Sequence, residues 1–163
     1  MKKIAPVLAS LMLIFAAAAH ADNPPKNGEN KIFYPNGQVS LIQNFKNGKM
    51  DGLVKAYYED GTLKSDVNFK NGKIDGAFKG YFDDGHLQVE GQYKEGKKIG
   101  IHKIYYRNGQ VMIDESYKNG QLDGTKKVYD QKGQVRVEQS FNNGQLMNQK
   151  NYDEDGKPIV TPN

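Results

Sequence analysis

The sequence predicts an all-β protein, an elongated, twisted antiparallel β-meander built from about five 24-residue β-hairpin repeats, and three observations predict it. Glycines recur at a fixed step: Gly37, Gly61, Gly85, Gly109 and Gly133 form one series, Gly48, Gly72, Gly96, Gly120 and Gly144 a second, and Gly52, Gly76, Gly100 and Gly124 a third. Aromatic residues keep the same step, with Phe33, Tyr57, Tyr81, Tyr105 and Tyr129 in one column and Phe45, Phe69, Tyr93, Tyr117 and Phe141 in another. Gly and Tyr are abundant, Trp and Cys are absent, and no long helix-period apolar pattern follows residue 21. A fixed period with this composition is the mark of a β-repeat array.

The chain opens with Lys2 and Lys3, an apolar run from Ile4 to Ala18 and the small-x-small sequence Ala19-His20-Ala21. This reads as a cleavable signal peptide over 1–21, since the run is short for a membrane span and ends in a cleavage-type sequence. Without cysteine there is neither a lipid-modified cysteine nor a disulfide framework. No later hydrophobic stretch or sorting tail is visible, so the expected destination is the periplasm, with release outside the cell as the alternative. The leader removes 21 of 163 residues, enough remaining for one domain, together with two lysines, so 21 basic residues face 19 acidic ones. A net charge of +2 without a concentrated basic stripe argues against nucleic acid as a partner.

After a flexible N-terminal linker at 22–30, the repeat domain is expected over 31–152, and a C-terminal turn and tail over 153–163. Asn36-Gly37, Asp60-Gly61, Asp84-Gly85 and Asn108-Gly109 are dipeptides that reach positive φ in two-residue hairpin turns. Asn47-Gly48, Asn71-Gly72, Asn119-Gly120 and Asn143-Gly144 carry the same chemistry, so each hairpin joins the next by a second tight turn. Strands are predicted near 31–35, 38–46, 53–58, 62–70, 77–82, 86–94, 101–106, 110–118, 125–130, 134–142 and 148–152.

Alternation assigns faces. Leu63, Ser65, Val67 and Phe69 share one side of their strand, and Lys64, Asp66, Asn68 and Lys70 the other. Leu87, Val89 and Tyr93 repeat the apolar set, which Phe78, Phe82, Ile104, Tyr106, Val111, Ile113 and Val135 extend. A two-residue Asp60-Gly61 loop places Tyr58 opposite Leu63, Ala56 opposite Ser65 and Val54 opposite Val67. The same register opposes Lys55 to Asp66, Lys79 to Glu90, Lys103 to Asp114 and Lys127 to Glu138, four opposite-charge pairs that specify the alignment. The lysine column at 31, 55, 79, 103 and 127 is therefore neutralised, whereas Lys46, Lys70, Lys94 and Lys118 sit beside turns as a solvated edge open to anions.

A unit such as Tyr57-Tyr58-Glu59-Asp60-Gly61-Thr62-Leu63-Lys64, followed by Phe69-Lys70-Asn71-Gly72-Lys73-Ile74-Asp75-Gly76, resembles the MORN-variant repeat of bacterial proteins described as YwqK-type antitoxins. The likeness covers about residues 31–152. It lacks the Trp and the Tyr-x-Gly of the eukaryotic MORN unit. What the resemblance implies is a twisted hairpin sheet and, for some bacterial members, neutralisation of a toxin.

Little points to catalysis or to a cofactor. His86 follows a turn, and His102 occupies the strand position held by Val54 and Phe78, with no metal or nucleophile set evident around either. Asp153-Glu154-Asp155-Gly156 lacks the ligand series of a calcium loop and falls where the repeat predicts another turn. No enzyme, cofactor or metal site is expected. Tyr57, Tyr81, Tyr105 and Tyr129 lie on the charged side of the sheet, where two readings stay open: a ladder that packs over a single-layer sheet, or a docking surface for a protein partner. The expected function is partner binding by an exported immunity-type protein; the alternative is an envelope scaffold associated with anionic lipid.

Overall fold

A computed structural model describes residues 25–159. The signal-peptide segment, 1–21, lies outside the described residues, as do 22–24 and 160–163. The chain forms one antiparallel sheet of thirteen strands: β1 Gly28–Phe33, β2 Val39–Lys46, β3 Lys49–Met50, β4 Gly52–Tyr57, β5 Leu63–Lys70, β6 Lys73–Tyr81, β7 Leu87–Lys94, β8 Lys97–Tyr105, β9 Val111–Lys118, β10 Gln121–Tyr129, β11 Val135–Asn142, β12 Gln145–Tyr152 and β13 Pro158–Ile159. Strands lie beside one another in chain order, and β3 and β4 are two pieces of one strand broken at Asp51.

The two kinds of reversal use different chemistry. At Asn47-Gly48, Asn71-Gly72, Glu95-Gly96, Asn119-Gly120 and Asn143-Gly144 both residues have positive φ, from 48° to 88°. These are two-residue turns of the primed kind, whose twist matches that of the strands they join. The strand resumes at once, as the pairing of Lys70 with Lys73 shows. The third glycine series therefore lies inside strands: Gly76, at φ 116°, is part of a bulge rather than a turn. That is why β6, β8, β10 and β12 begin three or four residues before the positions expected at 77, 101, 125 and 148.

The other reversals correct the expected register. At Asp60-Gly61 the glycine alone is left-handed, at φ 87°; Gly61 N–H donates to the Tyr58 carbonyl at 3.0 Å, and Tyr58 N–H to the Thr62 carbonyl at 2.8 Å. The loop has three residues, a type I turn closed by a glycine bulge, so Tyr58 meets Thr62 and not Leu63. One residue further on Leu63 pairs with Tyr57, and the extra residue Lys64 restores the alignment, so that Ala56 meets Ser65, Val54 meets Val67 and Lys55 meets Asp66. A longer loop and a bulge cancel, which is why the inner pairs agree with expectation while the pair nearest the turn does not. The correction also moves Leu63, Leu87, Val111 and Val135 off the expected apolar face, because they pair with Tyr57, Tyr81, Tyr105 and Tyr129.

The core lies on the opposite, inner face. Leu41, Val54, Ala56, Val67, Phe69, Phe78, Val89 and Ile104 form one buried cluster, with Val67 2% and Phe78 3% exposed. No second layer covers them among the described residues, so the burial comes from the twist and coiling of the sheet about its own inner side. Lacing between repeats holds that coil. Gly48, Gly72, Gly96, Gly120 and Gly144 each donate an N–H, at 2.7–2.9 Å, to the carbonyl of Lys26, Met50, Ile74, Lys98 or Leu122 respectively. At the other edge Tyr34, Tyr58 and Tyr106 donate their hydroxyls to the carbonyls of Tyr57, Tyr81 and Tyr129.

Glu95 occupies a left-handed position, φ 50°, that asparagine holds in the four other turns of its class. An L-residue without a short amide side chain is strained there, by roughly 1–2 kcal/mol. Glu95→Asn should raise stability by up to ~1 kcal/mol, read as a higher urea midpoint at unchanged slope; a lowered midpoint would contradict the turn assignment.

Candidate functional site

The outer face is a charged ladder flanked by a row of aromatics. Each acid stands between two lysines: Asp66 between Lys55 and Lys79, Glu90 between Lys79 and Lys103, Asp114 between Lys103 and Lys127, and Glu138 between Lys127 and Lys150. Lys127 Nζ closes to 3.3 Å from Glu138 Oε1. The alternation specifies register and leaves the ladder nearly neutral.

Tyr57, Tyr81, Tyr105 and Tyr129 stand in one row on this face, each half-buried against its Leu or Val partner. Tyr105 Oη donates to Glu90 Oε1 at 2.6 Å, and burial together with that carboxylate holds its phenol well above the usual range. Burial, with the charges of Asp66 and Glu90 behind it, also raises the Tyr81 phenol. The row gains a member that the sequence reading missed: Tyr152 donates to Glu138 Oε2 at 3.0 Å. It follows Tyr129 by 23 residues instead of 24, because β12 lacks the bulge glycine of the earlier units.

On β6, β7 and β8, four residues along the strands from Tyr81 and Tyr105, the face opens into a hollow of about 250 Å³, lined by Ala77, Lys79, Glu90, Gln92, Ile101 and Lys103, with Phe78 and Gly91. Ala77 is too small to fill it, and Ile101, in the middle of β8, stands 56% exposed beside it.

On the inner face behind this hollow, His102 sits in a cluster of aromatic and charged side chains. His102 is 4% exposed, its Nε2–H donates to the Gln92 carbonyl at 2.9 Å, and its ring lies edge-on between those of Tyr93 and Tyr117 at 5.3 and 5.0 Å. Since a carbonyl only accepts, the proton sits on Nε2. Glu115, directly opposite on β9, takes Lys126 Nζ at 2.9 Å and the Tyr117 hydroxyl at 2.8 Å. Lys98 lies over the Tyr117 ring, 4.5 Å from its centre. Burial pushes the Glu115 carboxyl up, but the Lys126 and Tyr117 hydrogen bonds and the charges of Lys126 and Lys98 outweigh it, leaving the pKa below its ordinary value. Burial lowers the His102 and Lys98 pKa values. The signal was present in the sequence: the register that opposes Lys103 to Asp114 also opposes His102 to Glu115.

Gly91 makes the cluster possible. A Cβ built there falls 2.2 Å from His102 Nδ1, so the imidazole occupies space that a side chain takes at the equivalent Gln43, Val67, Glu115 and Gln139. Among the described residues no three His, Cys, Asp or Glu side chains gather as a metal site. Asp153-Glu154-Asp155-Gly156 forms the hairpin turn between β12 and β13, closed by Gly156 N–H on the Asp153 carbonyl at 3.1 Å.

A single sheet of stacked hairpins, with repeated rows on one face and a continuous core on the other, defines a β-hairpin repeat protein. The MORN repeat variant matches residues 26–47, 50–71, 74–95, 98–119 and 122–143, and the chain belongs to that family. Each match spans one hairpin, from β1–β2 to β10–β11, and ends at a primed turn. No curated protein matches the chain.

Gly91→Ala should destabilise the fold by ~1–3 kcal/mol through overpacking, and His102→Ala in the same chain should relieve most of that loss; purely additive losses would reject the contact. The buried neutral imidazole also sets a pH dependence. The unfolded chain binds a proton below about 6.5 that the folded chain resists, so stability should fall as pH drops from about 7 to 5. The Glu115 contribution is present above its unfolded value of 4.5 and is lost as pH falls through its lower folded value. His102→Gln should flatten the upper window alone, measured by urea titrations across pH; an unchanged slope would show that His102 does not carry it.

Proposed function

We propose that this protein is exported and non-enzymatic, and that it binds a partner protein across its outer face. It acts as an immunity protein of the YwqK antitoxin type, neutralising a toxin or secreted effector in the periplasm by steric cover. The observation that carries the reading is the hollow at Ile101: an exposed aliphatic group on a neutralised background, with a row of half-buried tyrosines further along the same face, is what protein interfaces use as anchors. Tyr57, Tyr81, Tyr105 and Tyr129 supply the flanking row. Their packing against Leu63, Leu87, Val111 and Val135 pre-orders them, so little side-chain entropy is lost when a partner arrives. Equivalent strands recur every ~9.6 Å, twice the strand spacing, so the row is long enough to follow a folded partner.

The test is to direct the product of the adjacent gene to the periplasm, with and without this protein. Toxicity relieved only by the exported form is the expected result. Relief by a form lacking residues 1–21, or no toxicity to relieve, would reject the reading. With the partner in hand, Ile101→Asp and the double change Tyr81→Ala/Tyr105→Ala should each weaken binding by about 2 kcal/mol or more while the β circular dichroism is retained, and Tyr106→Phe should leave binding intact. An interaction that disappears at moderate salt and returns on anionic vesicles would favour an envelope-associated role instead.

A further inference from the structure

The tips of three of the five primed turns carry an arrangement that folding alone does not favour. Lys46 is paired directly with Lys49, Lys70 with Lys73, and Lys94 with Lys97, and the fourth turn pairs Lys118 with Gln121. Like charges directly opposed on a ladder destabilise it, yet three successive turns repeat the pairing. All six of these lysines are exposed, and none closes an ion pair with a carboxylate among the described residues. Of the carboxylates nearest the tips, Asp51 and Asp75 accept the backbone N–H of Asn71 and Glu95 at 3.1 and 3.0 Å in the following turn, and the exposed Glu95 side chain at the third tip offsets part of the lysine charge there. Between the second and third rungs lies a depression of about 250 Å³ lined by Lys70, Asn71, Lys73, Asp75, Lys94 and Glu95.

We propose that this row of hairpin tips, at the edge of the outer face, is a second binding site distinct from the hollow at Ile101 and the tyrosine row, and that its occupant is an extended acidic polypeptide segment in the polyproline II conformation with a carboxylate at every third residue. Charge complementarity selects an anion, and pitch selects its form. The rungs recur every two strands, ~9.6 Å. A polyproline II chain returns to the same side every three residues, ~9.3 Å, so successive carboxylates stay in step with successive lysine pairs. A β-strand returns after ~6.7 Å and a helix after seven residues, ~10.5 Å, and both drift out of step. The sheet twist turns each rung relative to the last, and the four-carbon lysine stems absorb that rotation. Each tip ends in Asn-Gly or Glu-Gly with no apolar side chain to enter a bilayer, so the edge fits a chain laid across it better than a membrane.

The experiment uses the mature chain and a fluorescent peptide of repeated Glu-Pro-Pro units, compared with a peptide of equal composition whose glutamates form one block. Anisotropy should show the periodic peptide bound at least about tenfold more tightly. The quadruple change Lys70→Gln/Lys73→Gln/Lys94→Gln/Lys97→Gln should remove that binding and raise the melting temperature, because opposed charges are gone. Lys132→Gln/Lys157→Gln, at the opposite edge, should change neither. Equal affinity for the two peptides would reduce the edge to unselective charge and overturn the proposal, a comparison made on the unaltered chain that no folding defect can obscure. Binding retained by the quadruple variant would overturn it as well, as would tip-dependent binding to phosphatidylglycerol vesicles with neither peptide bound.

Discussion

The interaction on which the rest of the structure depends is the clamp from each primed turn onto the preceding repeat. The left-handed glycine at the tip points its N–H at a carbonyl 22 residues earlier, as Gly72 does to Met50 and Gly96 to Ile74. At three of the five turns an aspartate carboxylate, Asp51, Asp75 or Asp123, holds the residue just before that glycine through its backbone N–H. Neighbouring strands alone would allow a flat ladder; the clamp ties every second strand to the next tip and so imposes the coil that buries Val67 and Phe78 without a second layer. Nearest-neighbour stacking of this kind makes stability a sum over repeats and their junctions.

Within that frame the repeats are alike in backbone and unlike in filling. The inner column that reads Val54, Phe78, His102 and Lys126 passes from aliphatic to charged along the array, and its facing column reads Val67, Gly91, Glu115 and Gln139. Each large group meets a small or complementary one: Phe78 lies opposite Gly91, His102 opposite Glu115, and Lys126 reaches the same glutamate. The C-terminal repeats thus keep the fold by satisfying buried polar groups, and every buried side-chain polar atom among the described residues has a partner. A core of that kind is more sensitive to protonation than an aliphatic one.

The outer face separates three chemistries that a compact domain would mix. Tyrosines with their Leu and Val partners run beside one edge, alternating charges run along the middle, and lysine pairs run along the other edge. The hollow at Ile101 falls where the small Ala77 interrupts the packing, directly over the inner His102 and Gly91 positions. The most exposed apolar group of the central repeats therefore sits on the strand whose inner side carries the polar cluster around His102.

Much of this was legible in the sequence, and the reasons are local. Glycine at the left-handed positions, alternation along Leu63 to Lys70, and the opposed charges of Lys55 and Asp66 each report backbone conformation or direct pairing, so the strand order, the hairpin repeat and the central register follow without coordinates. The row Tyr57, Tyr81, Tyr105 and Tyr129 was placed on the correct face by the same arithmetic. Loop length was not legible: Asp-Gly suits both a two-residue turn and a type I turn with a bulge, and the choice depends on whether Lys64 can be accommodated as an extra residue across from Tyr57. Tyr152 was hidden by a one-residue contraction that breaks the period. What only the tertiary structure decided is how far the sheet coils, and hence that His102, Glu115, Lys126 and Tyr117 are enclosed together and that the turn lysines stack as a row, because those distances depend on accumulated twist and lacing between repeats, which no single unit encodes.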